Sequence, residues 1–155
     1  MNKRLIVVGL VVTATACGSS TPTSNPKATQ TPKAPQTTRA AKACSKVGEA
    51  FLAGLREGFH KPYRKVTITR SQYVKAAPTW NGRPVYMVAL EFKGMLAVFG
   101  TDIKPDSSAS GLIIAANDKA RTISDWGASV APGSPVAQAF ADPASVAVAK
   151  ACLTG

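Results

Sequence analysis

Residues 72–92, QYVKAAPTWNGRPVYMVALEF, decide the architecture. Asn81-Gly82 lies between two strand-like runs, Gln72–Thr79 and Pro84–Phe92. A type I′ turn needs positive φ at both central residues, and Asn-Gly supplies it at little steric cost. The stretch therefore reads as a two-residue β-hairpin. Outward from it, Lys93-Gly94 offers a second turn into a strand over Met95–Thr101. On the other side, Val66-Thr67-Ile68-Thr69 alternates as a half-buried strand does, with pairing extending through Tyr73-Val74. Asp102–Gly111 is polar loop, and Leu112–Ala116 reads as a further strand.

The flanks read as helices. Cys44, Val47, Phe51, Leu55 and Phe59 recur at three- and four-residue steps, which predicts a helix over Ala40–Phe59, stopped by Pro62. Gly54 and Gly58 form a GxxxG spacing inside it, expected to pack closely on the sheet. Asn117 can cap a short helix reaching about Ser124. Ser134-Pro135 and Asp142-Pro143 each place a capping side chain before a proline at the first helical position. The second should open a last helix running to Cys152. The expected fold class is α+β, a four- or five-stranded antiparallel sheet with the N- and C-terminal helices on one face.

The first residues read differently. Met1–Arg4 is a short basic start, Leu5–Val12 is apolar apart from Gly9, and Thr13–Ala16 is small. That order is an export signal, and its apolar core is too short to span a membrane. Ala14-Thr15-Ala16-Cys17 resembles the lipobox of bacterial lipoproteins, although Ala14 stands where that family usually has Leu. The resemblance implies that Cys17 becomes the lipidated (palmitate-bearing) first residue of the mature chain. Ala14-x-Ala16 also fits an ordinary signal-peptidase site, which would cut at the same bond and leave a thiol.

Cysteine arithmetic bears on the choice. Cys44 and Cys152 bracket the expected domain, and disulfides persist after export. If they pair, Cys17 is left over, and an odd cysteine in an exported chain needs an explanation. Lipidation supplies one. Between Cys17 and Cys44, residues 18–42 hold nine Ser/Thr, four Pro and four basic residues, with no acid, aromatic or branched aliphatic side chain. Such a stretch cannot bury enough apolar surface to offset its ordering entropy. The organisation expected is a signal peptide over 1–16, a lipidated Cys and disordered tether over 17–43, and one domain over 44–155. The location that follows is the outer face of the cell membrane, or secretion if Cys17 keeps its thiol.

Conventional catalytic chemistry is thinly represented. The 155 residues contain 1 His and 3 Cys, too few for a multi-ligand zinc or iron–sulfur site. There is no phosphate-binding glycine loop and no dinucleotide fingerprint, so neither metal nor cofactor is expected. His60 could act as a general base only beside a nucleophile or acid, and Asp106, Ser107, Ser108 and Ser110 share a loop that could supply one. No nucleophile-elbow motif surrounds them. Glu49 and Glu57 lie on the first helix and Glu91 on an apolar strand, without the pairing that carboxylate hydrolysis needs. Trp80, Tyr86, Phe92 and Trp126 read as core. No catalytic residue is assigned, and the enzymatic reading, a small envelope hydrolase using His60, stands second.

Charge is more informative. Lys plus Arg number 19 against 8 Asp plus Glu. The surplus in the domain is concentrated over residues 44–83, in Arg56, Lys61, Arg64, Lys65, Arg70, Lys75 and Arg83. Tyr63, Tyr73 and Trp80 are interleaved with them, superficially like a nucleic-acid surface. An exported domain meets anionic lipid and acidic polymer instead, so nucleic acid is not the expected partner. With its tether, bracketing cysteines and the stretch from Val85-Tyr86 to Ser124-Asp125-Trp126-Gly127, the chain resembles small uncharacterised lipoproteins of actinobacteria. That resemblance implies a location and no activity. The function expected is a membrane-tethered binding domain whose basic residues contact an anionic envelope polymer, lipid or protein.

Overall fold

The computed structural model describes residues 44–155, so the readings made for residues 1–16, for Cys17 and for the stretch to residue 43 lie outside the described residues. The chain begins with a two-residue strand β1 (Ser45–Lys46), then helices α1 (Glu49–Glu57) and α2 (Lys61–Arg64). Strands β2 (Arg70–Trp80), β3 (Arg83–Phe92), β4 (Met95–Thr101) and β5 (Ile113–Ala115) follow. Helices α3 (Asp118–Ile123), α4 (Pro135–Phe140) and α5 (Pro143–Thr154) complete it. The five strands form one antiparallel sheet in sequence order, a meander.

Both hairpin turns have the backbone their sequences require. Asn81 and Gly82 have φ of 49° and 73°, and Lys93 and Gly94 have 48° and 72°. With the turns set, side chains on β3 alternate between the two sheet faces. Val88, Leu90 and Phe92 enter one apolar cluster, and Val85, Met87 and Ala89 enter the other. The first cluster is closed by Phe51, Leu52 and Leu55 of α1, Phe59, and Ala120 and Ile123 of α3. The second is closed by Ala139 and Phe140 of α4 and by Val146, Ala149 and Leu153 of α5.

The α+β class, the five-stranded antiparallel sheet and the Cys44–Cys152 disulfide agree with the sequence reading. The expectation that the N- and C-terminal helices share one face is corrected: α1 and α3 cover one side, α4 and α5 the other. The reason is visible in the strands. β3 and β4 are apolar on both faces, as strands buried on two sides must be.

The first helix is also shorter than its periodicity suggested. Gly48 is extended (φ −70°, ψ 143°) and its N–H donates to the Pro105 carbonyl at 2.8 Å. A Cβ at position 48 would sit 2.8 Å from the Asp106 carbonyl oxygen, so the helix starts where the loop crosses it. Ser45 and Lys46 pair instead with Tyr73 and Gln72. Pro62 does not end α1, which stops at Glu57; it lies in the first turn of α2. Val66–Thr69 forms no strand, although Val66 and Ile68 pack on the first cluster as their alternation implied. The Thr69 N–H and hydroxyl both donate to the Glu91 carbonyl, at 2.8 and 2.9 Å, and the ladder starts at Arg70.

The GxxxG pair does not face the sheet. A Cβ on Gly54 would meet Ala109 at 2.7 Å, and one on Gly58 would collide with the Trp126 indole. The three capping predictions hold, with Asn117, Ser134 and Asp142 accepting from the N–H of Ala120, Ala137 and Ser145.

The edges are handled unequally. β5 spans only three residues, and Asn117 continues its work. Its Oδ1 accepts from Val98 N–H and its Nδ2 donates to the Leu96 carbonyl, both at 3.0 Å. On the other edge β1 covers two residues of β2. Farther along, β2 carries Lys75, Pro78 and a register shift between Lys75 and Thr79, features that discourage edge-to-edge pairing.

Candidate functional site

Glu49, Leu52 and Arg56 recur at steps of three and four along α1 and so share one helix face. That face looks onto the start of β2, where β1 ends and, among the described residues, the outer strand edge has no neighbour. The result is a groove of ≈ 390 Å³ lined by Lys46 of β1, Glu49, Leu52 and Arg56 of α1, and residues 68–72; by strand alternation Ser71 lies on the α1 face of the sheet, whereas Lys46, Arg70 and Gln72 lie on the opposite face. Arg70 is engaged, since its Nε donates to Glu91 Oε2 at 2.5 Å across the strand pair. Lys46 and Arg56 have no carboxylate within 4.0 Å among the described residues, and the Ser71 and Gln72 side chains have no hydrogen-bond partner there. Arg56, Glu49 and Ser71 thus share the α1 side of this edge, while Lys46, Arg70 and Gln72 lie on the other side of the sheet.

The other expected cations lie apart from it. Lys61, Arg64 and Lys65 are exposed on and beside α2, and Arg64 Nε donates to the Phe59 carbonyl at 2.8 Å. Lys75 is exposed on β2, and Arg83, exposed beside the first hairpin turn, stands 4.0 Å from Asp102. Of the seven cations singled out, Arg56 and Arg70 both border the groove, from opposite faces of the sheet. Lys46 was missed, because a helix over Ala40–Phe59 gave it no special place; Gly48, which interrupts that helix, was the available signal.

His60 is held by the junction between α3 and its following turn. Its N–H donates to the Ile123 carbonyl, and Phe59 bridges to Ser124. The ring Nε2 lies 2.9 Å from Asp125 Oδ1, with the two side chains 39% and 81% exposed. The loop holding Asp106 and the serines is tied elsewhere. Its Pro105–Asp106 stretch packs on Gly48, at the far end of α1 from His60, and Ala109 packs on Gly54 along the same helix. Ser107 donates to the Lys104 carbonyl, and Asp106 pairs with Lys104 at 2.5 Å, which holds that ammonium's pKa above its ordinary value.

The four aromatic candidates are divided between the two cores. Phe92 is buried on the α1 side, where Tyr86 meets Tyr73 edge to face; Trp80 meets Phe140 on the α5 side. Trp126 donates from Nε1 to the Leu55 carbonyl at 2.8 Å. Among the described residues no cluster of three metal-ligating side chains occurs, and no helix is long and apolar enough to cross a membrane.

Compared with known proteins, the chain matches no family model, and no curated protein or solved structure shows significant similarity to it.

Proposed function

We propose that the chain is an exported lipoprotein, held through Cys17 at the outer face of the cell membrane, whose domain is a binding module for an anionic partner. The observation that carries this reading is the cysteine pairing. Cys44 is bonded to Cys152, which leaves Cys17 as the odd cysteine, at the junction where the export pattern ends. A stable disulfide suits an oxidising compartment, and lipidation accounts for the remaining sulfur.

The binding role draws on charge. Residues 44–83 hold eight cations against Glu49 and Glu57, while residues 84–155 hold five cations against six acids. Such an asymmetry attracts anionic surfaces and polymers at a range set by salt.

Intact-mass measurement on the protein from the membrane and the medium of its own host, before and after reduction, tests the anchoring. A diacylated chain beginning at Cys17, gaining two hydrogen atoms on reduction, is the expected result. An unlipidated chain in the medium overturns the anchored form and leaves a secreted protein. Association with envelope preparations should weaken between about 50 and about 300 mM salt, over which the screening length falls from roughly 14 to roughly 6 Å. Salt-independent association, or none, overturns the anionic-partner reading.

A further inference from the structure

The disulfide between Cys44 and Cys152 joins a firmly seated element to a lightly held one. At its helical end, α5 has its own seat: Val146, Ala149 and Leu153 are buried in the second core, and Asp142 caps the first turn. At the other end, Ser45 and Lys46 are exposed and meet the sheet through two register pairs, with Tyr73 and Gln72. Val47, at 1% exposure, is the first residue to enter either core, and the Gly48 N–H beside it donates to the Pro105 carbonyl. A segment with a short ladder and few buried apolar contacts belongs to the low end of local stability. Residues 44–46 thus run from a fixed hinge at Val47 to a covalent tie on α5. Cys44 and Cys152 are each only half-buried, so a reductant need not wait for the cores to open.

We infer that this disulfide is a redox clasp: a dithiol reductant opens it on the folded domain, releasing residues 44–46 and baring the outer edge of β2 while both cores stay packed. A thiolate of the dithiol attacks one sulfur, which forms a mixed disulfide and frees the other cysteine as a thiolate that takes up a proton. The second thiol of the reductant then displaces the remaining cysteine. Two electrons and two protons pass to the cysteine pair, the reductant ends as a disulfide, and the chain ends with two thiols. Among the described residues, β1 is the one strand paired with the outer edge of β2. With β1 released, that edge has no strand neighbour, and an unpaired edge is a template for another extended chain. The oxidised bond keeps it covered at Gln72 and Tyr73. The inference is independent of the anchoring at Cys17.

The test follows amide hydrogen exchange by NMR on the full chain in detergent, before and after treatment with dithiothreitol in the absence of denaturant. In the oxidised chain, the amides bonded between β1 and β2 should be protected. After reduction they should exchange within about tenfold of unstructured-peptide rates, while amides of β3 and β4 keep protection of roughly a thousandfold or more. The double variant Cys44→Ser, Cys152→Ser should show the reduced pattern with no reductant added. Near-UV circular dichroism should stay native-like in both the reduced chain and the variant.

A bond that yields to dithiothreitol only in denaturant would overturn the clasp, because its reduction would then require unfolding. Loss of β3 and β4 protection on reduction would make the bond a staple of the whole domain. Unchanged protection between β1 and β2 in the reduced chain would show that the ladder holds by itself. Either of these last two results overturns the inference as well.

Discussion

The indole of Trp126 lies directly over Gly58, where a side chain at position 58 would have to stand, and its Nε1–H caps the Leu55 carbonyl at 2.8 Å. Trp126 thereby satisfies a carbonyl in the last turn of α1 and closes that helix against the turn after α3. Gly58→Ala should displace the ring and cost about 1–3 kcal/mol, the usual range for overpacking. Near-UV circular dichroism should change together with the urea midpoint. An unchanged aromatic signal would mean the ring is not seated there.

Asn117 acts at three places through one amide. Its Oδ1 accepts from Ala120 and Val98 N–H, and its Nδ2 donates to the Leu96 carbonyl. Asn117→Ala should therefore cost about 2–4 kcal/mol, from a lost cap plus part-buried strand groups left unpaired. Ser134→Ala, which removes a cap alone, should cost about 1 kcal/mol. Urea unfolding of the two variants measures the difference, and equal costs would show that the strand contacts add nothing.

The Cys44–Cys152 bond spans a sequence separation of 108 residues. The chain-entropy model assigns a closed loop of that length about 4–5 kcal/mol. Replacing both cysteines with Ser should lower stability by up to that amount. Denaturant unfolding of the double variant, compared with wild type under oxidising conditions, reads it directly.

Asp142 accepts from the Ser145 N–H at the start of α5, and the Ser145 side chain together with that N–H holds its carboxyl below the usual carboxylate pKa. A folded-state pKa below the unfolded one contributes stability that is complete above the unfolded value. That contribution is lost as pH falls from about 4 through the lower folded value. Asp142→Asn keeps an acceptor at the cap and removes the titration. The stability difference between wild type and Asp142→Asn should shrink toward acid in thermal melts between about pH 6 and about pH 3. A constant difference would refute the assignment.

Local signals were the most legible in the sequence. Asn81-Gly82, Lys93-Gly94 and the two capped prolines each fix a few dihedral angles through neighbouring residues, and all four structured as read. The α1 region was misread because Val47 and Phe51 are buried four residues apart for different reasons. Phe51 faces the core from a helix, whereas Val47 follows a strand residue paired across the sheet edge. Which face each helix covers was not legible, because that depends on the connections and not on periodicity. The apolar character of β3 on both faces was the available clue. For the groove, the cations on α1 and β2 were visible, but the place of Lys46 at its edge depends on a two-residue strand that no local pattern announces.

The bond between Cys44 and Cys152 also has a mechanical meaning. A pull arriving along the chain ahead of Cys44 reaches the end of α5 through a covalent link, so the two-residue β1 ladder need not carry it. Residues 45–151 then hang as a closed ring from a single attachment point. The load does not run through the sheet, and a machine that threads polypeptide from the N-terminal side would have to take two segments of chain abreast to pass the bridge.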